Sequence, residues 1–411
     1  MNKENDRRHD KYRFANGSSP DITPEGRMVV AHAVEVPYAK AALLWDERNE
    51  KIKEIRSDYQ VAVLHHGSDV ESQILNSNNP IFSRKHPVNS FDRKVFPGGE
   101  DLLFARNESP LAKHIYLIAD PLDKGDIMDI QRVAWYYRNI LQAQHVTAVL
   151  SFISGRQDKN VNSEGNYVPS MINITADIEA MGSVDSFMGS ENHSFATQTA
   201  AYIIGKPFFP FTPWKYSVEQ VLNKSIEIDN ENVMLTPQNT VLVRPDKGRN
   251  IAATRTANYY GFESVSFNKK RISAKEVLLY LDSPEEIEKI KDKMCICYDD
   301  ELSTNHTVNE VAKKLEEYGA RGLVVIGIHG KFTADWKENI GNPFIKKVFT
   351  TDSRPPIGDN RPYIDSGKIE IIPSEDLIAE IIEADIKGIN FWNDPNYCHM
   401  VLQTNGESER C

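Results

Sequence analysis

Short apolar runs alternating with amphipathic stretches, in a rhythm that plays twice along one chain, constrain this sequence more than any other feature. VAVLHH (61–66), HIYLIAD (114–120) and VTAVLSFI (146–153) read as buried strands, with a helix over Ile127 to Gln142 between the second and third. The rhythm returns in TVLVRPD (240–246), ESVSFNKKR (263–271), MCICYDD (294–300) and GLVVIGIHG (322–330). Val308, Val311, Ala312 and Leu315 fall at helical spacing, and Gly319 closes that helix. Ser374 to Ala384 reads as a further helix, with Ser374 as N-cap and Glu375 or Asp376 near its positive end. Strands separated by helices cannot pair through hairpins. They imply an α/β fold, a parallel sheet with helices on both faces. The proline-rich stretch Pro207 to Pro213 separates the halves, which share no repeat by residue identity.

The chain divides accordingly into an N-terminal extension (1–58), two α/β domains (59–212 and 213–392) and a polar tail (393–411). The extension holds one helical stretch around Ala41 to Arg56, and up to about Pro24 its polar composition predicts disorder. Its first residues, MNKENDRRHDKYRF, lack the apolar stretch of a secretion signal. No apolar run reaches the roughly 18 residues that span a bilayer. Cys295, Cys297, Cys398 and Cys411 are too few for a disulfide framework, so a reduced cytoplasm is expected. Cys295 and Cys297, within an apolar run, read as strand residues. A net charge of −11 argues against broad nucleic-acid binding, which needs a basic face. It does not argue against nucleotides, which need only a few local cations, backbone amides and Mg²⁺.

In open α/β sheets ligands bind beyond the carboxyl ends of the strands, and those ends carry the chemistry here. One strand runs into Asp246, Lys247, Gly248 and Arg249; another ends in Lys269, Lys270 and Arg271; a third ends in Asp299 and Asp300; a fourth ends in His329 and Gly330. Two adjacent carboxylates suit a vicinal diol or Mg²⁺ held through water. The turn after them opens a helix, so its amides and the hydroxyls of Thr304 and Thr307 can cup an anion. Basic residues on a neighbouring strand end can neutralise a polyphosphate.

These stretches carry a family resemblance. From about Val61 to Gly388 the sequence resembles ribose-phosphate pyrophosphokinases, which have two tandem type I phosphoribosyltransferase-like domains, each a mainly parallel sheet flanked by helices. FPGGE (96–100) resembles the family's Phe-x-Asp-Gly-Glu segment, and GRQDK (155–159) its Arg-Gln-Asp-Arg/Lys element. ENHS (191–194) resembles Asp-Leu-His-Ser, RPDKG (244–248) resembles Ser-Pro-Asp-x-Gly, and NKKR (268–271) resembles Asp-Lys-Arg-Arg at the base of a mobile catalytic loop. YDDELSTNHT (298–307) resembles the acidic ribose-phosphate loop, and IHGKF (328–332), TTDSRP (350–355) and KIEIIPSEDLIAEII (368–382) continue the match.

The resemblance implies attack by a ribose C1 hydroxyl on the β-phosphorus of ATP, with Mg²⁺ present and AMP leaving. Carried over residue by residue, Lys269 and Arg271 stabilise the transferring diphosphate. His193 and Asp246 hold the metal, with His193 at the catalytic end and Asp246 also near the sugar. Arg156, Gln157 and Asp158 meet ATP, while Phe96 and Glu100 shape the adenine pocket. Asp299 and Asp300 take the ribose hydroxyls, and Ser303, Thr304, Asn305, His306 and Thr307 form the 5′-phosphate loop. The resemblance also implies homo-oligomers, dimers or hexamers, and neither a nucleic-acid nor a membrane partner.

Several positions depart from the family pattern. Gly98 stands where an aspartate is usual, Arg249 where a second glycine is usual, and NVNSEGNYVPS replaces an Arg-Glu-Pro-Ile run. In the ribose-phosphate loop Ser303 stands in place of an aspartate and His306 in place of a glycine, with Asn305 before it. Small residues let backbone amides close around a terminal phosphate, and Asn305 and His306 place side chains there. An acceptor whose 5′-phosphate is esterified, such as ADP-ribose, fits that change; similar kinases make its 1-diphosphate in phage-type pathways that rebuild NAD. Ribose 5-phosphate in an ordinary synthetase, a non-catalytic associated subunit, and a transferase that consumes the 1-diphosphate are the other readings. Retention of Lys269, Arg271, His193, Asp246, Asp299 and Asp300 favours an active diphosphokinase.

Overall fold

The computed structural model describes residues 21–22, 28–29, 38–64, 69–83, 87–107, 111–153, 170–192, 196–222, 224–228, 231–245, 251–271, 277–281, 283–354, 359–392, 394, 396–397 and 400. After a helix α1 (Tyr38–Ile52), a first sheet is built from β1 (Tyr59–Leu64), β2 (Asn89–Val95), β3 (Asp101–Ala105), β4 (His114–Ala119), β5 (His145–Leu150), β6 (Ser186–Ser190) and β7 (Phe208–Phe211). Helix α2 (Lys124–Trp135) joins β4 to β5. The strand order is β3-β2-β1-β4-β5-β6-β7, parallel throughout except for the β2–β3 hairpin. Parallel strands buried on both faces need apolar side chains at consecutive positions, and alternation sends them to opposite cores. Leu117 thus packs with Ile127, Ile130 and Val133 of α2. Its neighbour Ile118 packs with Trp45 of α1 on the other face.

The second sheet comprises β8 (Thr240–Arg244), β9 (Glu263–Ser266), β12 (Met294–Leu302), β13 (Gly322–Gly330), β14 (Ile345–Thr351) and β15 (Ile369–Ile372), in the order β9-β8-β12-β13-β14-β15 and fully parallel. Two further strands, β10 (Asn268–Arg271) and β11 (Val277–Tyr280), form a separate antiparallel hairpin. Helix α3 (His306–Glu317) lays Val308, Val311, Ala312 and Leu315 on one face of this sheet, where Cys295 and Cys297 are buried. Gly319, at φ +80°, ends it as expected.

Some sequence expectations shift. ESVSFNKKR is not one strand: the buried Phe267 still donates its N–H to the Arg244 carbonyl (3.0 Å) of β8, but from Asn268 on the chain pairs with β11 instead. The strand read as ending at Asp300 continues to Leu302, because its ladder pairs Glu301 with His329 and Leu302 with Gly330. Helix α2 starts three residues before Ile127, where Asp123 and Asp126 form a reciprocal capping box. Beyond Trp135 it passes into a π-helical turn, Tyr136–Ile140. Ser374 precedes the last helix, α4 (Glu375–Ile386), but its hydroxyl donates to Asp352 instead of capping that helix.

Helix α4 packs on the first sheet, with Leu377, Ile378, Ile381 and Ile382 in the same core as Trp45, Val61 and Phe209. Beneath that sheet Arg48 of α1 grips Asp385 of α4 through two hydrogen bonds (2.5 and 2.8 Å), both side chains being 1% exposed. Arg48 also donates to Thr147 (2.8 Å) and Ser186 (3.1 Å), and the Tyr116 hydroxyl donates to Asp385 (2.6 Å). A polar-looking extension helix is therefore an integral part of the core.

Asp352, just after β14, is buried and accepts from the Ser374 backbone (3.2 Å) as well as its hydroxyl. Burial pushes its carboxyl up to about 6 against the pull of donors on Ser374 and Gln73. A carboxyl raised on folding contributes stability that is complete below the unfolded value and is lost as pH rises toward about 6. At about 1.4 kcal/mol per pKa unit, the loss between about pH 4 and 6.5 is on the order of 2–3 kcal/mol. Urea midpoints across that range should fall for the wild type and stay flatter in Asp352→Asn.

Candidate active site

The carboxyl ends of β12, β13 and β14 gather the most chemistry among the described residues. Asp299 and Asp300 are half-buried, and the Asp300 amide donates to the Asp299 carboxylate (3.0 Å). Glu301 is buried and pairs with Lys331 (2.6 Å). Gly327 lies across the ladder from Asp299, and a Cβ built there would stand 2.2 Å from Leu302 Cγ. The glycine in this apolar strand thus lets Leu302 fold over β13 and direct the chain into the 303–307 loop.

That loop is braced from one side. The Thr333 amide donates to the Ser303 carbonyl (3.1 Å), their hydroxyls share a hydrogen bond (2.7 Å), and the Asn339 amide donates to the Thr304 carbonyl (2.8 Å). Asn305 then adopts φ +60°, and helix α3 begins at His306. The positive φ therefore falls on Asn305. His306 is an exposed first helical residue, so of the two side chains expected to crowd the loop only Asn305 carries the conformational demand. Asparagine tolerates this region better than most residues. Asn305 does not cap α3; the Thr304 hydroxyl accepts from the first amide, that of His306 (3.4 Å), and the amides after it are oriented as an anion site. Asn305 itself is 5% exposed, and among the described residues neither its amide oxygen nor its nitrogen has a hydrogen-bond partner. A buried, unsatisfied amide costs about 1–3 kcal/mol, a cost that a bound acceptor or water would remove.

The first sheet presents its own strand ends to this region. Phe152, just after β5, is buried under the Arg354 guanidinium (4.7 Å to the ring centroid) and the Lys331 ammonium (5.7 Å). The His329 ring meets it edge-on at 5.1 Å. After β6, Glu191 is buried and its carboxylate accepts from the Thr212 hydroxyl (2.6 Å).

The other expected site residues are placed differently. Phe96 and Glu100 close the β2–β3 hairpin through a 2.7 Å backbone bond, with Gly99 at φ +86° between them. Both are exposed at its tip, and Lys94 lies over the Phe96 ring (5.3 Å). Lys269 and Arg271 lie on β10, opposite Leu279 and Val277 of β11. Arg156, Gln157, Asp158, His193 and Asp246 lie outside the described residues. Among the described residues no group of three acidic, histidine or cysteine side chains could cage a metal. Adjacent carboxylates such as Asp299 and Asp300 suit Mg²⁺, which takes one or two of them and fills its shell with water and phosphate oxygens. Sequence reasoning passed over Phe152, Glu191, Lys331 and Arg354, and gave His329 no role. A histidine closing the otherwise apolar GLVVIGIHG was the available signal.

No protein-family model matches the sequence. Over 241 residues the chain is 25% identical to a ribose-phosphate pyrophosphokinase of Haemophilus ducreyi, covering 58% of this chain and 70% of that one. It is 31% identical over 173 residues to that of Thermotoga maritima, covering 41% of this chain and about half (49%) of the relative. The crystal structure of phosphoribosylpyrophosphate synthetase from Mycobacterium smegmatis superposes with a TM-score of 0.57 at 18% identity, over 80% of this chain and 99% of that one. No helix of the described residues is long and apolar enough to cross a membrane. In sequence the chain is similar to ribose-phosphate pyrophosphokinases and in fold to a phosphoribosylpyrophosphate synthetase, which together support an enzyme of the diphosphotransferase class.

Proposed function

We propose that the protein transfers the β,γ-diphosphate of ATP, with Mg²⁺, to the C1 hydroxyl of a 5-phosphoribosyl compound and releases AMP, and that the acceptor carries a substituent on its 5′-phosphate, ADP-ribose being the representative case. The observation that carries this reading is the acidic strand end of β12 running through a braced turn into a helix that its entry residue, Asn305, does not cap, with the Asn305 amide buried and unsatisfied among the described residues. Asp299 and Asp300 take the ribose hydroxyls and would hold Mg²⁺ through water. The 303–307 loop and the first amides of α3 take the 5′-phosphate. Asp246 and His193 complete the metal side, Lys269 and Arg271 meet the transferring diphosphate, and ATP lies along 156–158 with Phe96 and Glu100 at its base.

Transfer of this kind demands alignment and charge neutralisation more than covalent chemistry. Small loop residues let backbone amides close around a terminal phosphate dianion. An esterified phosphate carries less charge, and a neutral amide can share in holding it. The name shared by the relatives favours ribose 5-phosphate itself as the alternative acceptor.

Asn305→Gly separates the two. Glycine adopts φ +60° without strain, so the substitution removes the amide and keeps the turn. It should lower kcat/KM for ADP-ribose relative to ribose 5-phosphate by about tenfold, the worth of one net hydrogen bond. An unchanged ratio, measured by AMP release, would remove the support for a substituted acceptor.

A further inference from the structure

We infer that His329 is a positioning residue that locks the nucleotide-side strand ends of the first sheet to the sugar-side strand end of the second. The inference rests on the active site proposed above, but none of the residues given roles there includes His329. The side chain is fully buried at the end of β13, one strand over from Asp299 and Asp300 and directly opposite Glu301. Its Nε2 lies 3.3 Å from the main-chain oxygen of Glu191, and its Nδ1 lies 2.7 Å from the Ser353 hydroxyl. A carbonyl can only accept, so Nε2 carries the proton and Nδ1 is left to the serine. Its ring also packs edge-on against Phe152. One side chain of the second sheet therefore touches the segments after β5 and β6, which lead in sequence into Arg156–Asp158 and His193.

The backbone it holds is strained. Glu191 has φ +37°, a region that is strained for a non-glycine residue and persists only where neighbours over-determine it. Three hydrogen bonds do so here. The Glu191 amide donates to Phe211 (2.8 Å), its carboxylate accepts from Thr212 (2.6 Å), and its carbonyl accepts from His329. The first two arise within the first sheet and fix the turn to it. The bond from His329 ties the turn to the second sheet, where the acceptor's carboxylates sit. In-line transfer needs donor and acceptor aligned, and a displacement of about 1 Å can cost on the order of a hundredfold in rate.

The test compares His329→Phe, which fills the space without either hydrogen bond, with His329→Gln, whose Nε2 can still donate to the Glu191 carbonyl. His329→Phe should lower kcat for AMP release by about 10–100-fold, with KM for ATP and for the acceptor moving less than about threefold. His329→Gln should recover most of that loss. Hydrogen exchange of the peptide covering residues 187–195 is the readout independent of turnover: faster by about tenfold or more in Phe, near wild type in Gln. Equal behaviour of the two variants, or unchanged exchange in Phe, would overturn the inference. Ser353→Ala replaces His329→Phe should the latter not fold; it frees the ring and should raise the same exchange, and no change there would equally overturn it. A wild type without AMP release but with this exchange pattern would refute the proposed function and leave the positioning role standing.

Discussion

Arg48→Met should destabilise the protein by about 3–5 kcal/mol, the range measured when one member of a buried ion pair is removed. The substitution keeps the length and apolar stem of the side chain, so little of the loss comes from packing. What remains is the Asp385 carboxylate, 1% exposed, with the Tyr116 hydroxyl as its one other side-chain donor among those described. Thr147 and Ser186 lose a donor as well. Burial alone would raise the Asp385 carboxyl, but the charge and hydrogen bonds of Arg48, with Tyr116, hold it below the ordinary carboxylate range. Its stabilising contribution is therefore present above the unfolded carboxylate value and lost as pH falls through the lower folded one. Replacing Asp385 too, by Leu, should restore part of the loss, since an apolar pair of similar volume often matches a buried ion pair. Thermal or urea unfolding of the single and double variants measures both effects. A loss below about 1 kcal/mol in Arg48→Met, as for an exposed pair, would mean that α1 is not bound in the core as described.

Lys269→Ala should give the largest change in activity. On the proposed function its ammonium meets the diphosphate while charge redistributes in the transition state, and removing one such stabilising group typically costs about 10²–10³ in kcat. The KM values should move little, because a transition-state contact is not a ground-state one. The hairpin β10–β11 is anchored by buried Leu279 and Leu281, and the substitution keeps the backbone pairing of residue 269 with Leu279. The unfolding midpoint should stay near wild type, which separates lost catalysis from lost structure. A fall of less than about threefold in kcat would move the diphosphate contact away from β10.

Much of this fold is legible in the sequence because parallel strands covered on both faces must be apolar at consecutive positions. VAVL, HIYLIA and GLVVIG could hardly be anything else. The failures share a cause, since each depended on a partner distant in sequence. Nothing within the Ala41 to Arg56 stretch singles out Arg48; its partner Asp385 lies 337 residues away on α4. The strand MCICYDD reads as ending at Asp300 until the ladder to β13 carries it on to Leu302. The loop's positive φ could have fallen on either Asn305 or His306, because residue identity alone does not fix which peptide reverses. His329 looked like one more polar strand end, and only the approach of Glu191, 138 residues earlier, gives it a role.

Nucleotide products, separated after incubation of the protein with ATP, Mg²⁺ and either ADP-ribose or ribose 5-phosphate, test the central claim most directly. Attack at the β-phosphorus makes AMP in step with the 1-diphosphate of the acceptor, and the expected result is AMP formation that depends on the acceptor and is fastest with ADP-ribose. AMP with ribose 5-phosphate alone would contradict the substituted acceptor. ADP as the product, or no turnover from folded protein with either acceptor, would contradict diphosphate transfer itself.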